Sequence, residues 1–143
     1  MSQRIAYVTG GMGGIGTAMC QRLHKDGLTV VAGCGPKSAR RERWLAEQAE
    51  LGFFFTASDG NVADWKSTEA AFAKFKKEVG EIDVLVNNAG ITRDGVFRKM
   101  SRENWNDVIN TNLTSFFNVT RQVIEAESLY IQSRLNLKGS GQC

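Results

Sequence analysis

Between positions 10 and 16 the chain reads Gly-Gly-Met-Gly-Gly-Ile-Gly, directly after a short β-rich run, Ile5 to Val8. Two glycine templates overlap there. Gly11, Gly13 and Gly16 fit G-x-G-x-x-G, while Gly10, Gly14 and Gly16 fit G-x-x-x-G-x-G. Either lets bare backbone approach a pyrophosphate, while the helix that follows offers free N–H groups and a positive dipole end. The competing reading is a tight structural turn. The strand–turn–helix setting favours dinucleotide binding.

The end of the second apolar run says which dinucleotide. A site for the unphosphorylated form commonly carries Asp or Glu there, accepting from ribose hydroxyls. This chain has Gly33-Cys34-Gly35-Pro36 with no carboxylate before Glu42, followed by Lys37, Arg40 and Arg41. A cationic cluster suits the 2′-phosphate of NADP, which arginine grips through paired hydrogen bonds. The alternative is a solvated first helical turn, although a helix N-terminus prefers acids to bases.

The elements that position these residues alternate strand and helix, the rhythm of βαβ units. Ile5–Val8, Leu28–Ala32, Phe53–Thr56 and Ile82–Val86 are the expected strands, the last buried on both faces. Helices are expected over Thr17–Lys25, closed by Gly27, and over Ser38–Leu51, closed by Gly52. Another is capped by Asp64, with Trp65, Thr68, Phe72, Phe75 and Val79 as its inward stripe. Ser101 caps a long helix carrying Trp105, Val108, Ile109, Asn112, Leu113, Phe116, Thr120 and Val123. The expected fold is α/β, the N-terminal part of a Rossmann-type doubly wound parallel sheet with about four strands. A dinucleotide-binding portion over residues 1–126 precedes a divergent tail over 127–143. A strand at Leu129–Ile131 is the only element that tail suggests.

Composition narrows the classes. The 143 residues are 42% hydrophobic and 23% charged, ordinary values for a globular domain. The sequence has no apolar run near the roughly 20 residues of a membrane span, and its first residues lack a secretory pattern. A cytoplasmic protein is expected. A net charge of +3 without a basic, aromatic-interleaved stripe argues against nucleic acid. Cys20, Cys34 and Cys143 form neither a CxxC pair nor a metal cluster, so reduced thiols are expected, Cys20 packing in a helix and Cys34 in a turn. His24, the single histidine, has no partner for a metal site and is read as an ordinary helix residue.

Thr9-Gly10 with Gly14-Ile15-Gly16, then Asn87-Asn88-Ala89-Gly90 after the fourth strand and Asn110-Thr111-Asn112-Leu113, resemble the short-chain dehydrogenase/reductase family over about residues 1 to 126. Within it, Ala32-Gly33-Cys34-Gly35-Pro36, Arg40-Arg41-Glu42, Ile91-Thr92-Arg93-Asp94 and Val96-Phe97-Arg98-Lys99-Met100 resemble members that reduce acetoacetyl-CoA for polyhydroxybutyrate synthesis. The implied reaction moves a hydride from NADPH to the 3-keto carbon of a 3-oxoacyl thioester, giving the (R)-3-hydroxy product. Reduction of a 3-oxoacyl group on acyl carrier protein is the alternative. So is a non-catalytic fragment that binds NADP(H) or docks on a full-length subunit.

The resemblance implies NADP contacts at Gly13, Gly14, Ile15, Gly35, Arg40, Gly60, Asn61, Val62, Asn88, Ala89, Gly90, Ile91 and Thr92. These join Gly10 and Gly16 of the glycine loop. It implies a substrate contact at Asp94, and at Asn112 a helix bend that supports a proton-relay water. No metal site is expected. It further implies homotetramers of full-length members, with the long helix of Trp105, Phe116 and Phe117 against a partner subunit.

The family's proton donors do not appear in their context. Members carry a serine on a later strand and a Tyr-x-x-x-Lys on the next helix. Tyr130 is followed by Arg134, but too soon after Asn112 and without the serine-bearing strand, so it reads as a tail residue. A frameshift or a truncated gene copy is the expected origin, leaving this chain inactive alone with an unpaired sheet edge.

Overall fold

The apolar residues of the first two strands divide between two cores. Ile5, Tyr7 and Val31 join one; Val8, Val30 and Ala32 join the other. Side chains alternate faces along a strand, so both surfaces of this sheet must be covered. The computed structural model describes residues 3–124 and supplies the covers. In order come β1 (Ile5–Val8), α1 (Gly14–Lys25), β2 (Thr29–Cys34), α2 (Arg41–Glu50), β3 (Thr56–Asp59), α3 (Trp65–Glu78) and β4 (Val84–Val86). The sheet is parallel, ordered β3-β2-β1-β4, with Tyr7 beside Val31 and Leu85. Phe72 and Phe75 of α3, with Val119 and Val123, pack on the Tyr7 face; Cys20 and Trp44 pack on the other. This is the expected Rossmann-type α/β fold.

Local chemistry sets the helix ends. The Asp64 carboxylate accepts from Ser67 N at 2.7 Å, and Ser101 Oγ accepts from Asn104 N at 3.0 Å, both as expected of N-caps. Gly27, at φ 86°, closes α1 by donating its N–H to the His24 carbonyl at 3.0 Å.

Several expectations change, and α1 already begins at Gly14 rather than Thr17. The third strand is Thr56–Asp59 rather than Phe53–Thr56, because Phe53 N still bonds to Gln48 O at 2.9 Å while Phe53 and Phe55 stack with each other and Phe55 with Trp44. Their apolar character serves helix packing, and the less apolar Thr-Ala-Ser-Asp pairs with β2. The fourth strand is shorter than Ile82–Val86 and only half-buried, since it lies at the sheet edge among the described residues. α2 begins at Arg41, not Ser38, because Lys37 takes a left-handed conformation (φ 52°) and Arg41 N closes a turn on Ser38 O at 3.2 Å. Cys34 ends β2 rather than lying in a turn.

The long helix is interrupted. α4 (Arg102–Ile109) passes into a π-helical turn, Asn110–Thr114, and helix resumes over 115–124. The wider turn shifts the phase of the stripe, so Ser115, Asn118, Val119 and Val123 are buried. Trp105, Leu113, Phe116 and Phe117 are exposed, as is Phe97, whose ring meets Trp105 edge-on. The divergent tail, with Leu129–Ile131, Tyr130, Arg134 and Cys143, lies outside the described residues. No described helix is long and apolar enough to cross a membrane.

Candidate functional site

In a parallel sheet every strand delivers its C-terminal end to the same edge, and ligand sites of open α/β folds form there. Here the turns after all four strands meet around a cleft of about 570 Å³. Its walls include Gly10, Gly35, Gly60, Asn61, Val62, Ala89, Gly90 and Ile91. A smaller neighbour of about 170 Å³ shares Gly10 and Gly35 and adds Gly13 and Arg40. Those ten sequence-derived candidates are thus brought together. Gly14, Ile15, Gly16, Asn88, Thr92, Asp94 and Asn112 lie outside both linings. Ile15, Thr92 and Asp94 are exposed, while Gly16 is buried beneath the loop.

The glycines separate into two kinds. Gly16 is required by packing: a Cβ there would collide with the Gly10 carbonyl and come within 2.8 Å of Gly11 Cα. Gly13 and Gly35 are not, since a Cβ would meet nothing closer than 3.5 Å at the first and nothing at all at the second. The space before them belongs to the cleft. α1 also starts without a side-chain cap and without an acid in its first turn, leaving its first N–H groups free of intrahelical partners. These features fit an anionic, closely approaching ligand such as a dinucleotide pyrophosphate.

Asn88 and Asn112 brace the rim. Asn88 Nδ2 donates to the carbonyls of Thr9 at 3.1 Å and Gly10 at 3.2 Å. Asn112 Oδ1 accepts from Ile91 N at 2.8 Å, and its Nδ2 donates to Ile91 O at 2.9 Å. It stands within the π-helical turn. Arg93 and Asp107, 3.5 Å apart, complete one wall of the larger cleft.

Some participants were not anticipated from sequence. Thr9 Oγ1 accepts from both Asn88 N and Ala89 N at 2.9 Å, clamping the post-β4 turn to β1. Asn118 Nδ2 donates to Val62 O at 3.0 Å, a polar inward residue hidden by the phase shift in its helix. Asp59, ending β3, accepts from Cys34 Sγ at 2.9 Å and pairs with Arg41. Arg41 also binds Glu42 Oε1 at 2.8 Å, so the expected Lys37–Arg41 cluster is not uniform. The Glu42 hydrogen bond and then the Asp59 charge raise the Arg41 pKa.

Among the described residues, Tyr7 and Cys34 of the cleft wall are not poised as a base or a thiolate nucleophile. Burial pushes the Tyr7 phenol from its ordinary 10.0 up to about 12. Burial, then the Asp59 hydrogen bond and charge, take the Cys34 thiol from 9.0 to about 12. Buried Cys20 also stands at about 12, through desolvation. All three therefore stay protonated near neutrality. His24 lies edge-on against Phe53 and Phe55, and no cluster among the described residues could hold a metal ion.

A parallel β3-β2-β1-β4 sheet, with a glycine turn leading into α1, defines a dinucleotide-binding α/β protein. The chain belongs to the short chain dehydrogenase family, whose sequence model matches residues 4–132. It is 74% identical over 125 residues to an acetoacetyl-CoA reductase of Cupriavidus necator, covering 87% of this chain and 51% of that one. A nodulation protein G of Azospirillum brasilense is 54% identical over 123 residues, covering 86% and 50%. An actinorhodin polyketide ketoreductase solved with NADPH superposes at a TM-score of 0.81 with 35% identity, covering 91% of this chain and 49% of that one. The chain thus spans about half the length of the curated relatives it matches.

Proposed function

We propose that this chain is the NADP(H)-binding portion of a reductase acting on 3-oxoacyl thioesters, with acetoacetyl-CoA as the substrate and (R)-3-hydroxybutyryl-CoA, a precursor for polyhydroxybutyrate, as the product. The observation that carries the reading is the 74% identity to the Cupriavidus enzyme over 125 residues. The glycine turn would hold the pyrophosphate on the N-terminus of α1, with Gly13 and Gly35 leaving room for it. Arg40 would meet the 2′-phosphate, and Gly60, Asn61 and Val62 would flank the adenine end. Asn88, Ala89, Gly90, Ile91 and Thr92 would support the ribose and nicotinamide end. Asp94 would touch the thioester substrate, and Asn112 would hold the Ile91 backbone in place. When bound, NADPH supplies the hydride. The residues described supply binding and positioning, and the proton donor of the family reaction is not among them.

Titration of the 143-residue chain with NADPH, read by nicotinamide fluorescence, is expected to saturate, and more tightly than with NADH. Oxidation on adding acetoacetyl-CoA is expected to stay at background. A chimaera joining residues 1–126 to the C-terminal half of the Cupriavidus enzyme should oxidise NADPH with acetoacetyl-CoA. Absence of saturable binding overturns the cofactor reading. A folded, NADPH-binding chimaera that ignores acetoacetyl-CoA overturns the substrate reading.

A further inference from the structure

Two adjacent arginines at the start of α2 meet different surroundings. Arg40 lines the smaller cleft with Gly13 and Gly35, its Nη2 at 3.5 Å from the Met12 carbonyl. Arg41 is turned onto carboxylates: Nη1 pairs with Asp59 Oδ2, and Nε lies 2.8 Å from Glu42 Oε1. The other Asp59 oxygen accepts from Cys34 Sγ at 2.9 Å, and Cys34 lines both clefts. The Asp59 carboxylate therefore stands one hydrogen bond behind the wall where an adenosine ribose would lie.

An unmasked carboxylate there would repel a 2′-phosphate and favour free ribose hydroxyls. We infer that Arg41 sets the preference for a 2′-phosphorylated dinucleotide by neutralising Asp59, leaving Arg40 to grip the phosphate. This rests on the dinucleotide reading of the cleft. Glu42 is a lesser counter-charge, because its side chain is 78% exposed and solvent screens it. In the opposite mechanism Arg41 itself grips the phosphate, through guanidinium N–H groups beyond those on Asp59 and Glu42.

The two mechanisms part on rescue. Wild type, R41A, D59N and R41A/D59N would be titrated with adenosine 2′,5′-bisphosphate and with 5′-AMP by calorimetry, after circular dichroism shows that each variant is folded. R41A should bind the bisphosphate about tenfold more weakly, the effect of one uncompensated nearby charge in a partly screened site, while binding 5′-AMP at least as well as wild type. The double variant should return to within about twofold of wild type for the bisphosphate, because the repelling charge leaves with its mask. A double variant as weak as R41A overturns the masking role and makes Arg41 a direct phosphate ligand. If wild type binds neither nucleotide, the dinucleotide reading itself falls, and this inference with it.

Discussion

Asn112 and Ile91 are joined by a reciprocal pair of hydrogen bonds. The Ile91 N–H donates to Oδ1 at 2.8 Å, and Nδ2 donates to the Ile91 carbonyl at 2.9 Å. An amide side chain can do this because it carries an acceptor and a donor side by side. The pair ties the turn after β4 to the π-helical turn, 21 positions further along. N112D keeps the acceptor and loses the donor, so it should cost about 1 kcal/mol, and N112A about 1–2 kcal/mol. Urea denaturation checks both values. An N112A midpoint equal to that of wild type would show that the turn is held by other contacts.

Thr9 offers a sharper test of the same turn. Its buried hydroxyl serves two backbone N–H groups. T9V preserves shape and orphans both donors, so a loss of roughly 2–4 kcal/mol is expected. T9S keeps the oxygen and should lose less than about 1.5 kcal/mol, the scale of one buried methylene-sized deletion. Chemical denaturation of the two variants side by side decides it, and equal losses would refute the hydroxyl's role.

The two kinds of glycine should separate stability from binding. G16A forces a Cβ into the Gly10–Gly11 backbone, and overpacking of that kind costs about 1–3 kcal/mol. G35A meets open space and should leave the thermal midpoint within about 2 °C of wild type, since substitutions that touch nothing are nearly neutral. If the cleft takes a dinucleotide, G35A should nonetheless weaken NADPH binding by tenfold or more, as ~1.4 kcal/mol of lost contact would do. Thermal melts with and without NADPH report both effects.

Alkaline pH should destabilise the fold before it reaches the backbone. Tyr7, Cys20 and Cys34 hold their protons in the native state to about 12, against ordinary values of 10.0, 9.0 and 9.0. Above pH 9 the unfolded chain therefore binds fewer protons than the native one, and stability falls as pH rises. The contribution is fully present below about pH 9 and is lost through about pH 12. Thermal midpoints should be flat from pH 7 to 8.5 and decline from pH 9 upward. A midpoint that rises across that range would contradict the burial of these groups.

The sequence by itself determined the strand–helix rhythm, the glycine turn and the caps at Asp64 and Ser101, because each rests on local chemistry within a few residues. Ten of the residues named by the glycine loop and by the family resemblance line the two clefts, since parallel strands send successive turns to one edge. Local signals misled where tertiary packing competed with them. Phe53 and Phe55 look like a strand but are drawn into the ring cluster around Trp44 and His24. Asn110–Thr114 looks like ordinary helix, yet the bonds from Asn112 to Ile91 accompany a wider turn that changes which side chains face inward. Only the tertiary structure decided the fate of the two arginines. Adjacent in sequence and alike in charge, they part because β3 ends in Asp59 beside Arg41, a neighbour 18 residues away that no local pattern reveals.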